Sequence, residues 1–233
     1  MNSGETKLFV GILLAAVALA AVAIYPAVVA ARNEPPTVAV IRDPVKAKVT
    51  RADLFPKGAW HKGDPKAPYL IVEFADYECP LCATSVNEVK NILAQHKGKV
   101  CFVFHGIQIS REGHPGALLM AQASEAAGAQ GKFWEMHEAL FKAQRRFRGL
   151  PQPDAVDEVM KVAREIGLDM MKFSAALQSD KAVKGQARSG KIAIEADVQV
   201  TPTFFVVTPK GETLKLASLK EFVVWATKPG NIK

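Results

Sequence analysis

Two cysteines separated by two residues, in the run Cys79-Pro80-Leu81-Cys82, are the part of this sequence best suited to chemistry. A mostly apolar segment, 69–75, precedes them and is typical of a buried strand. Apolar residues after the run recur at helical spacing, which predicts a helix beginning at the motif. The pattern therefore indicates a dithiol for disulfide exchange, with Cys79 as the nucleophile and Cys82 as the resolving thiol.

The predicted helix explains why the first thiol would be reactive. Cys79 would face the unpaired N–H groups and the positive end of the helix dipole, which favour a thiolate. A helix terminus contributes ~0.3–2 kcal/mol, and one pKa unit is worth about 1.4 kcal/mol. We therefore expect the helix to lower the pKa of Cys79 by about one unit. Pro80 suits the first helical position, where its missing N–H costs nothing.

Two other roles for the cysteine pair fit the sequence less well. A disulfide that closes so short a loop removes little chain entropy and would be a weak structural bridge. A zinc site needs further ligands, but the sequence has no second C-x-x-C pair and its five histidines are dispersed. The third cysteine, Cys101, lies in a short β-rich run and is expected to be buried and inert.

The N-terminal region predicts export. Residues 8–31 contain no charge, a stretch longer than the roughly 20 residues that span a bilayer, so we expect an uncleaved anchor. Lys7 favours a cytoplasmic N-terminus. A cleaved signal is the alternative, because Pro26 could break the helix just before residues 28–30, where small residues suit a signal peptidase. The predicted division is residues 1–31 as anchor, 32–50 as linker and 51–233 as the exported domain.

The positive net charge does not indicate a nucleic-acid partner. The formal charge is +7, but the Lys and Arg residues are scattered along the chain. The densest group, Arg145-Arg146-Phe147-Arg148, is typical of a solvated helix end. We therefore expect no nucleic-acid binding.

The order of predicted elements is strand–helix–strand, then helices, then strand–strand–helix. Segments 69–75 and 100–104 flank the helix that begins at the cysteine pair, which predicts a parallel, right-handed βαβ unit. A nearly all-helical insertion follows at about 110–182, in which Asp154 and Asp169 are placed to cap helices. A hairpin and a last helix then close the chain, which predicts an α/β fold.

Three segments, in order and in register, resemble DsbA-like thioredoxin-fold oxidoreductases. Residues 73–82 (EFADYECPLC) resemble the active-site segment of that family, and residues 131–137 (GKFWEMH) resemble part of its inserted helical domain. Residues 200–204 (VTPTF) resemble the loop that carries its cis-proline. The resemblance implies a thioredoxin fold, βαβ…ββα, with an inserted all-helical subdomain.

The resemblance also implies roles for residues around the cysteines. Alternation along the strand leaves the direction of Glu73 open, whereas the family likeness implies a buried proton acceptor near the resolving thiol. Pro202 is implied to be cis, with Thr201 exposing its backbone to an extended substrate. Pro80 and Leu81 are implied to tune the redox potential. Since leucine offers the thiolate neither charge nor hydrogen bond, we expect a less oxidising protein than relatives with histidine there.

The function implied is disulfide formation in exported proteins by a membrane-anchored enzyme with a periplasmic or extracellular domain. The partners implied are cysteine-containing exported proteins and a quinone-linked membrane protein that reoxidises the dithiol. No organic cofactor and no metal is implied. Two alternatives stay open: a disulfide reductase or isomerase, and a non-enzymatic tethered module that binds metal or a client.

Overall fold

A six-stranded sheet forms the centre of the part of the chain that the computed structural model describes, residues 42–110 and 112–233. The strand order is β1-β6-β5-β3-β4-β2. In chain order the strands are β1 (Val45–Lys46), β2 (His61–Lys62), β3 (Tyr69–Ala75), β4 (Val100–Gly106), β5 (Thr203–Val207) and β6 (Thr213–Leu216).

Eight helices accompany this sheet in the described ranges. They are α1 (Arg51–Leu54), α2 (Pro80–Gln95), α3 (Ala117–Gly128), α4 (Phe133–Phe147), α5 (Gln152–Glu165), α6 (Met170–Leu177), α7 (Asp180–Glu195) and α8 (Leu219–Thr227). Five of them, α3 to α7, lie between β4 and β5 in the sequence, and α7 extends beyond residue 182, where the helical insertion was predicted to end.

Strand β3 lies in the middle of the sheet and carries the reactive turn at its end. It pairs in parallel with β4 and antiparallel with β5, and all seven of its side chains are buried. Burial on both faces explains why its sequence is a nearly continuous apolar run instead of an alternating one. The parallel pairing with β4 confirms the predicted βαβ unit.

The two faces of the sheet bury two separate apolar clusters. Alternate β3 residues such as Ile71 pack with α2, α8 and the inserted helices, whereas Leu70 and Phe74 pack on the opposite face. On that opposite face, Ile192 of α7 and Leu54 of α1 cover the sheet. A central sheet covered by helices on both faces confirms the predicted α/β class.

The helix caps agree with the sequence at one predicted position and differ at another. Asp169 accepts hydrogen bonds from the N–H groups of Met171 and Lys172, as its capping role requires. Asp154 does not cap a helix, because α5 already begins at Gln152, after the N-cap residue Pro151. Its carboxylate instead lies in the first turn of α5, where the helix dipole still favours a negative charge.

The end of the predicted linker takes part in the sheet. Val45 and Lys46 pair with Lys215 and Leu214 of β6, and Thr50 caps α1. The predicted anchor, residues 8–31, lies outside the described residues. Within 42–110 and 112–233, none of the helices has the length and apolar character needed to cross a bilayer.

Candidate active site

The cysteine pair lies between the C-terminal end of β3 and the first turn of α2. Cys79 is the N-cap residue of α2 with an extended backbone (φ −74°, ψ 120°), and Pro80 opens the first turn. The Cys79 carbonyl accepts hydrogen bonds from the N–H groups of Cys82 at 3.1 Å and Ala83 at 3.3 Å. The first thiol therefore lies at the N-terminus of a 16-residue helix, as the sequence predicted.

The thiol of Cys79 is strongly acidified. Its pKa is lowered to about 6, and the largest cause is a hydrogen bond from the Cys82 side chain. A side-chain hydrogen bond from Thr201 and the backbone N–H groups at the helix start act in the same direction, against the opposing effect of burial. The Sγ atom also lies 3.4 Å from the carbonyl oxygen of Thr201. The Cys82 thiol thus lowers the pKa of Cys79 more than the helix terminus does, although the sequence had predicted the helix terminus as the cause.

Cys82 has the opposite character. Its side chain is fully buried, and burial raises the pKa of its thiol well above the ordinary value. Its hydrogen bond to Cys79 and the negative charges of Cys79 and Glu73 raise that pKa further. Both cysteines are reduced in the structure, with no disulfide between them. One thiol ionises easily and can react first, while the other is held protonated behind it.

Glu73 points from β3 towards α2, so the burial implied by the resemblance is present. Its side chain is 2% exposed, and the Ser85 hydroxyl donates to it over 2.5 Å. Burial raises the pKa of the Glu73 carboxyl to about 8, and the Cys79 thiolate adds to the rise. Glu73 therefore exchanges its proton in the pH range where the Cys79 thiol is already ionised.

Ser85 is a residue that sequence reasoning missed. Its hydroxyl lies within hydrogen-bond distance of both Glu73 and the carbonyl oxygen of Cys82, the latter at 2.7 Å. A hydroxyl has one proton, so it can donate to only one of them at a time. A protonated Glu73 carboxyl can donate a hydrogen bond to the Ser85 hydroxyl oxygen. Ser85 can then donate its own proton to the backbone carbonyl of Cys82. The i+3 spacing from Cys82, on the same side of α2, was the signal in the sequence.

A small cavity connects Glu73 to charged residues nearer the surface. Its volume is about 20 Å³, and its lining includes Glu73, His137 and Glu138. A cavity of this size with several polar neighbours is large enough for one water molecule. At its outer end Glu138 forms ion pairs with Lys62 at 3.3 Å and Lys90 at 2.6 Å.

The loop between β3 and α2 is fixed by the buried carboxylate of Asp76. It accepts hydrogen bonds from the N–H groups of Glu78 at 2.8 Å and Ile109 at 3.0 Å, and from His114 Nδ1 at 2.9 Å. The Cys79 N–H in turn donates to the Asp76 carbonyl at 3.0 Å. Asp76 and His114 therefore have a structural role that their isolated positions in the sequence did not indicate.

The Thr201-Pro202 peptide bond is cis and lies beside Cys79, as the resemblance implied. Pro202 is buried and is followed directly by β5, whose first residue, Thr203, pairs with Phe74. This register brings the loop to the end of β3 from which the cysteine turn departs. Leu81, in contrast, is 61% exposed and points away from the buried groups.

Two further titratable side chains are buried, as was predicted for Cys101. His137 is buried among aromatic rings, and burial lowers its pKa to about 3 while Tyr77 hydrogen-bonds its Nδ1 at 3.2 Å. Cys101 is fully buried on the opposite face of the sheet, and burial raises its pKa to about 11. Within the described ranges no three His, Cys, Asp or Glu side chains come together in a way that could hold a metal ion.

Comparison with known proteins decides the family. Residues 56–223 match the family described as thioredoxin. The chain belongs to the thioredoxin family. A thioredoxin-like oxidoreductase from Silicibacter pomeroyi is 29% identical, with a TM-score of 0.57 over 68% of this chain and 86% of that one. Alpha-DsbA1 from Wolbachia pipientis is 20% identical, with a TM-score of 0.61 over 75% of this chain and 92% of that one.

These matches confirm the thioredoxin fold that the sequence predicted, and alpha-DsbA1 shares that fold. A third relative is the Na⁺/H⁺ antiporter NhaA 3 of Salinispora tropica, which is 32% identical over 145 residues. That match covers 62% of this chain but 21% of the antiporter, so the chain spans about a fifth of the length of the curated relatives it matches. Ion transport is therefore what the name of that relative describes, and it is not carried over to this chain.

Proposed function

We propose that this protein forms disulfides in exported proteins by dithiol–disulfide exchange through Cys79 and Cys82. The observation that carries the proposal is the contrast between the two thiols. The pKa of Cys79 is lowered to about 6, while that of Cys82, one helical turn further on, is raised by burial. Because Cys82 is fully buried, a substrate thiolate would attack a disulfide between the two at Cys79, and the low pKa of Cys79 then makes it a good leaving group from the mixed disulfide.

The oxidising half-cycle then has two steps. A substrate thiolate attacks Sγ of Cys79 in the oxidised enzyme, which forms a mixed disulfide and releases the thiolate of Cys82. A second substrate thiolate attacks the substrate sulfur of the mixed disulfide and releases the thiolate of Cys79. The substrate loses two electrons, which remain on the reduced Cys79/Cys82 pair.

Glu73 is proposed to transfer the proton of Cys82. With its pKa raised to about 8, it can protonate the Cys82 thiolate as that thiolate is released and can accept the proton again during reoxidation. The 20 Å³ cavity beside Glu73 provides space for one water molecule on the way to Glu138 and the solvent. Thr201 and Pro202 are proposed to bind the extended substrate chain next to Cys79, and Pro80 and Leu81 to tune the redox potential.

The location and partners form part of the same proposal. Residues 8–31 would anchor the chain, residues 32–50 would link it to the membrane, and the domain 51–233 would work in the periplasm or outside the cell. A quinone-linked membrane protein would reoxidise the dithiol, and no organic cofactor would be needed. The charge-free stretch of residues 8–31 and the oxidising compartment that a working disulfide requires support this placement.

The test is whether the oxidised protein accelerates disulfide formation in a reduced, unfolded protein that contains several cysteines. We expect faster loss of substrate thiols, with one enzyme dithiol produced for each substrate disulfide. Faster reduction or reshuffling of a disulfide-bonded substrate, without net oxidation, would favour the reductase or isomerase alternative. No exchange at all, together with bound metal in the purified protein, would favour the non-enzymatic module.

The residue between Pro80 and Cys82 gives a prediction about the redox potential. We expect Leu81→His to make the protein more oxidising by about 30 mV or more, since a histidine can stabilise the Cys79 thiolate and so the reduced form. The potential is measured by equilibration with glutathione. Met171→His, at another exposed apolar side chain, is the control and should leave the potential unchanged. An unchanged potential in Leu81→His would contradict the tuning role.

A further inference from the structure

One side chain of the inserted helices reaches the segment that carries the reactive thiol. Gln144 lies in the last turns of α4, and its Nε2 donates hydrogen bonds to two backbone carbonyls. The acceptors are the carbonyl oxygen of Tyr77 at 2.8 Å and that of Cys79 at 2.9 Å. The two N–H groups of the Gln144 amide thus connect the residues immediately before α2 to α4, more than 60 positions further along the chain.

These two carbonyls differ in what else they bind. The Cys79 carbonyl already accepts from the N–H groups of Cys82 and Ala83, as the start of a helix requires. The Tyr77 carbonyl accepts a hydrogen bond from the Gln144 amide in the described ranges. Removing the amide would therefore release the loop at Tyr77 and weaken the hold on Cys79, although Asp76 would still fix the loop from the other side.

The position of Cys79 matters because several short contacts depend on it together. Its Sγ must stay near the Cys82 thiol, the Thr201 side chain and the N–H groups of the first helical turn for these to stabilise the thiolate. Such hydrogen bonds weaken steeply with distance and angle. A loop that moves by a fraction of an ångström would lose part of each of them.

We propose that Gln144 is a positioning residue for Cys79, so that the inserted helices control the reactivity of the thiol by holding its backbone. Gln144 contacts neither thiol through its side chain; it acts through the two carbonyls. Its effect on disulfide exchange rests on the proposed function, whereas its effect on the thiol itself does not.

The test compares Gln144→Met with Gln122→Met. Methionine keeps the length of the side chain but has no N–H donor. Gln122 is the control, because its Nε2 also donates to a backbone carbonyl, that of Leu177 at 2.9 Å, but this bond joins α3 to α6 and not to the cysteine segment. Both variants should lose thermal stability, with the larger loss in Gln144→Met, because it removes two hydrogen bonds and Gln122→Met removes one.

The readout that separates the two is alkylation of Cys79 by iodoacetamide as a function of pH. If the pKa of Cys79 rises from about 6 to about 7, its thiolate fraction at pH 5.5 falls about eightfold. Alkylation at pH 5.5 then slows about threefold, because the less acidic thiolate is the better nucleophile, and the midpoint of the pH profile rises by about one unit. We expect this in Gln144→Met and an unchanged profile in Gln122→Met. An unchanged profile in Gln144→Met would overturn the proposal, because a merely structural role lowers stability without altering the thiol.

A measurement on the unsubstituted protein covers the case in which Gln144→Met does not fold. In the ¹⁵N-labelled protein, the side-chain amide signals of Gln144 should shift with the same midpoint as the Cys79 thiol, while those of Gln122 should not. Absence of that shift would overturn the proposal. Since alkylation and titration report on the thiol directly, they can succeed even if the protein fails to oxidise substrates, so the two proposals fail separately.

Discussion

Replacing Cys79 with serine is expected to reduce disulfide exchange to the uncatalysed rate. A serine hydroxyl forms no disulfide, and the remaining thiol, Cys82, is fully buried with a raised pKa, so it cannot take over the attack. The measurement is the rate of thiol loss in a reduced substrate protein. The fold should survive, because Cys79 is the N-cap residue of α2 and serine, which is close to cysteine in size, is favoured at that position.

Two further variants sharpen this prediction. Cys101→Ala removes the third cysteine, on the opposite face of the sheet, and should keep the full rate. Cys82→Ala should instead trap a covalent adduct between Cys79 and a disulfide-containing peptide, since the resolving thiol is missing; mass spectrometry detects it. Exchange that persists in Cys79→Ser, or that is lost in Cys101→Ala, would contradict the assignment of the nucleophile.

Local sequence determined the position of the reactive turn. An apolar strand, a cysteine, a proline and a helical pattern follow one another within 69–93, so each neighbour restricts the conformation of the next. The last helix and the hairpin before it were likewise predictable from local patterns and agree with α8, β5 and β6. Strand β1 was not predictable, since two residues within a charged segment, Val45 and Lys46, have no periodicity to detect.

The face of the sheet to which the Glu73 side chain points could not be predicted from the alternation of residues. Alternation identifies the inner face of a strand when one face is exposed, but every β3 side chain is buried, so both faces look alike in the sequence. Only the pairing of β3 between β4 and β5, together with α2 packed on one face, distinguishes them. The family resemblance supplied the answer that periodicity could not.

Contacts distant in sequence account for the rest of the site. Gln144 meets the Cys79 carbonyl across 65 positions, and nothing near either residue in the sequence indicates the contact. The acidity of Cys79 was expected from the helix terminus, yet its largest cause is the Cys82 thiol. The i+3 spacing of the two cysteines contained that information, because it places them on one side of the first turn.

Glu73→Gln is expected to slow turnover about 100-fold, the lower part of the range for a lost general acid–base group. Glutamine keeps the shape and can still bond Ser85, but it cannot exchange a proton with Cys82. The measurement is the pH dependence of substrate oxidation and of reoxidation. Glu125→Gln is the control, since Glu125 is a partly buried carboxyl with a raised pKa that accepts a hydrogen bond from Trp60 at 2.8 Å and none from the residues of the thiol site. Equal rates for Glu73→Gln and the unsubstituted protein would remove Glu73 from the mechanism.

The same substitution should make the folded protein more stable at neutral pH. The pKa of Glu73 is raised from 4.5 to about 8 on folding, so between these values the folded state binds more protons than the unfolded state. Stability therefore falls as pH rises through this window, by about 3 kcal/mol between pH 4.5 and 7 at about 1.4 kcal/mol per unit. Urea unfolding in a Cys79→Ser background, which removes the titration of that thiol, should show this fall with Glu73 and lose it in Glu73→Gln. A gain in stability combined with a loss of rate would mean that the buried carboxyl is retained for proton transfer at the expense of the fold; parallel stability curves would mean that its pKa is ordinary.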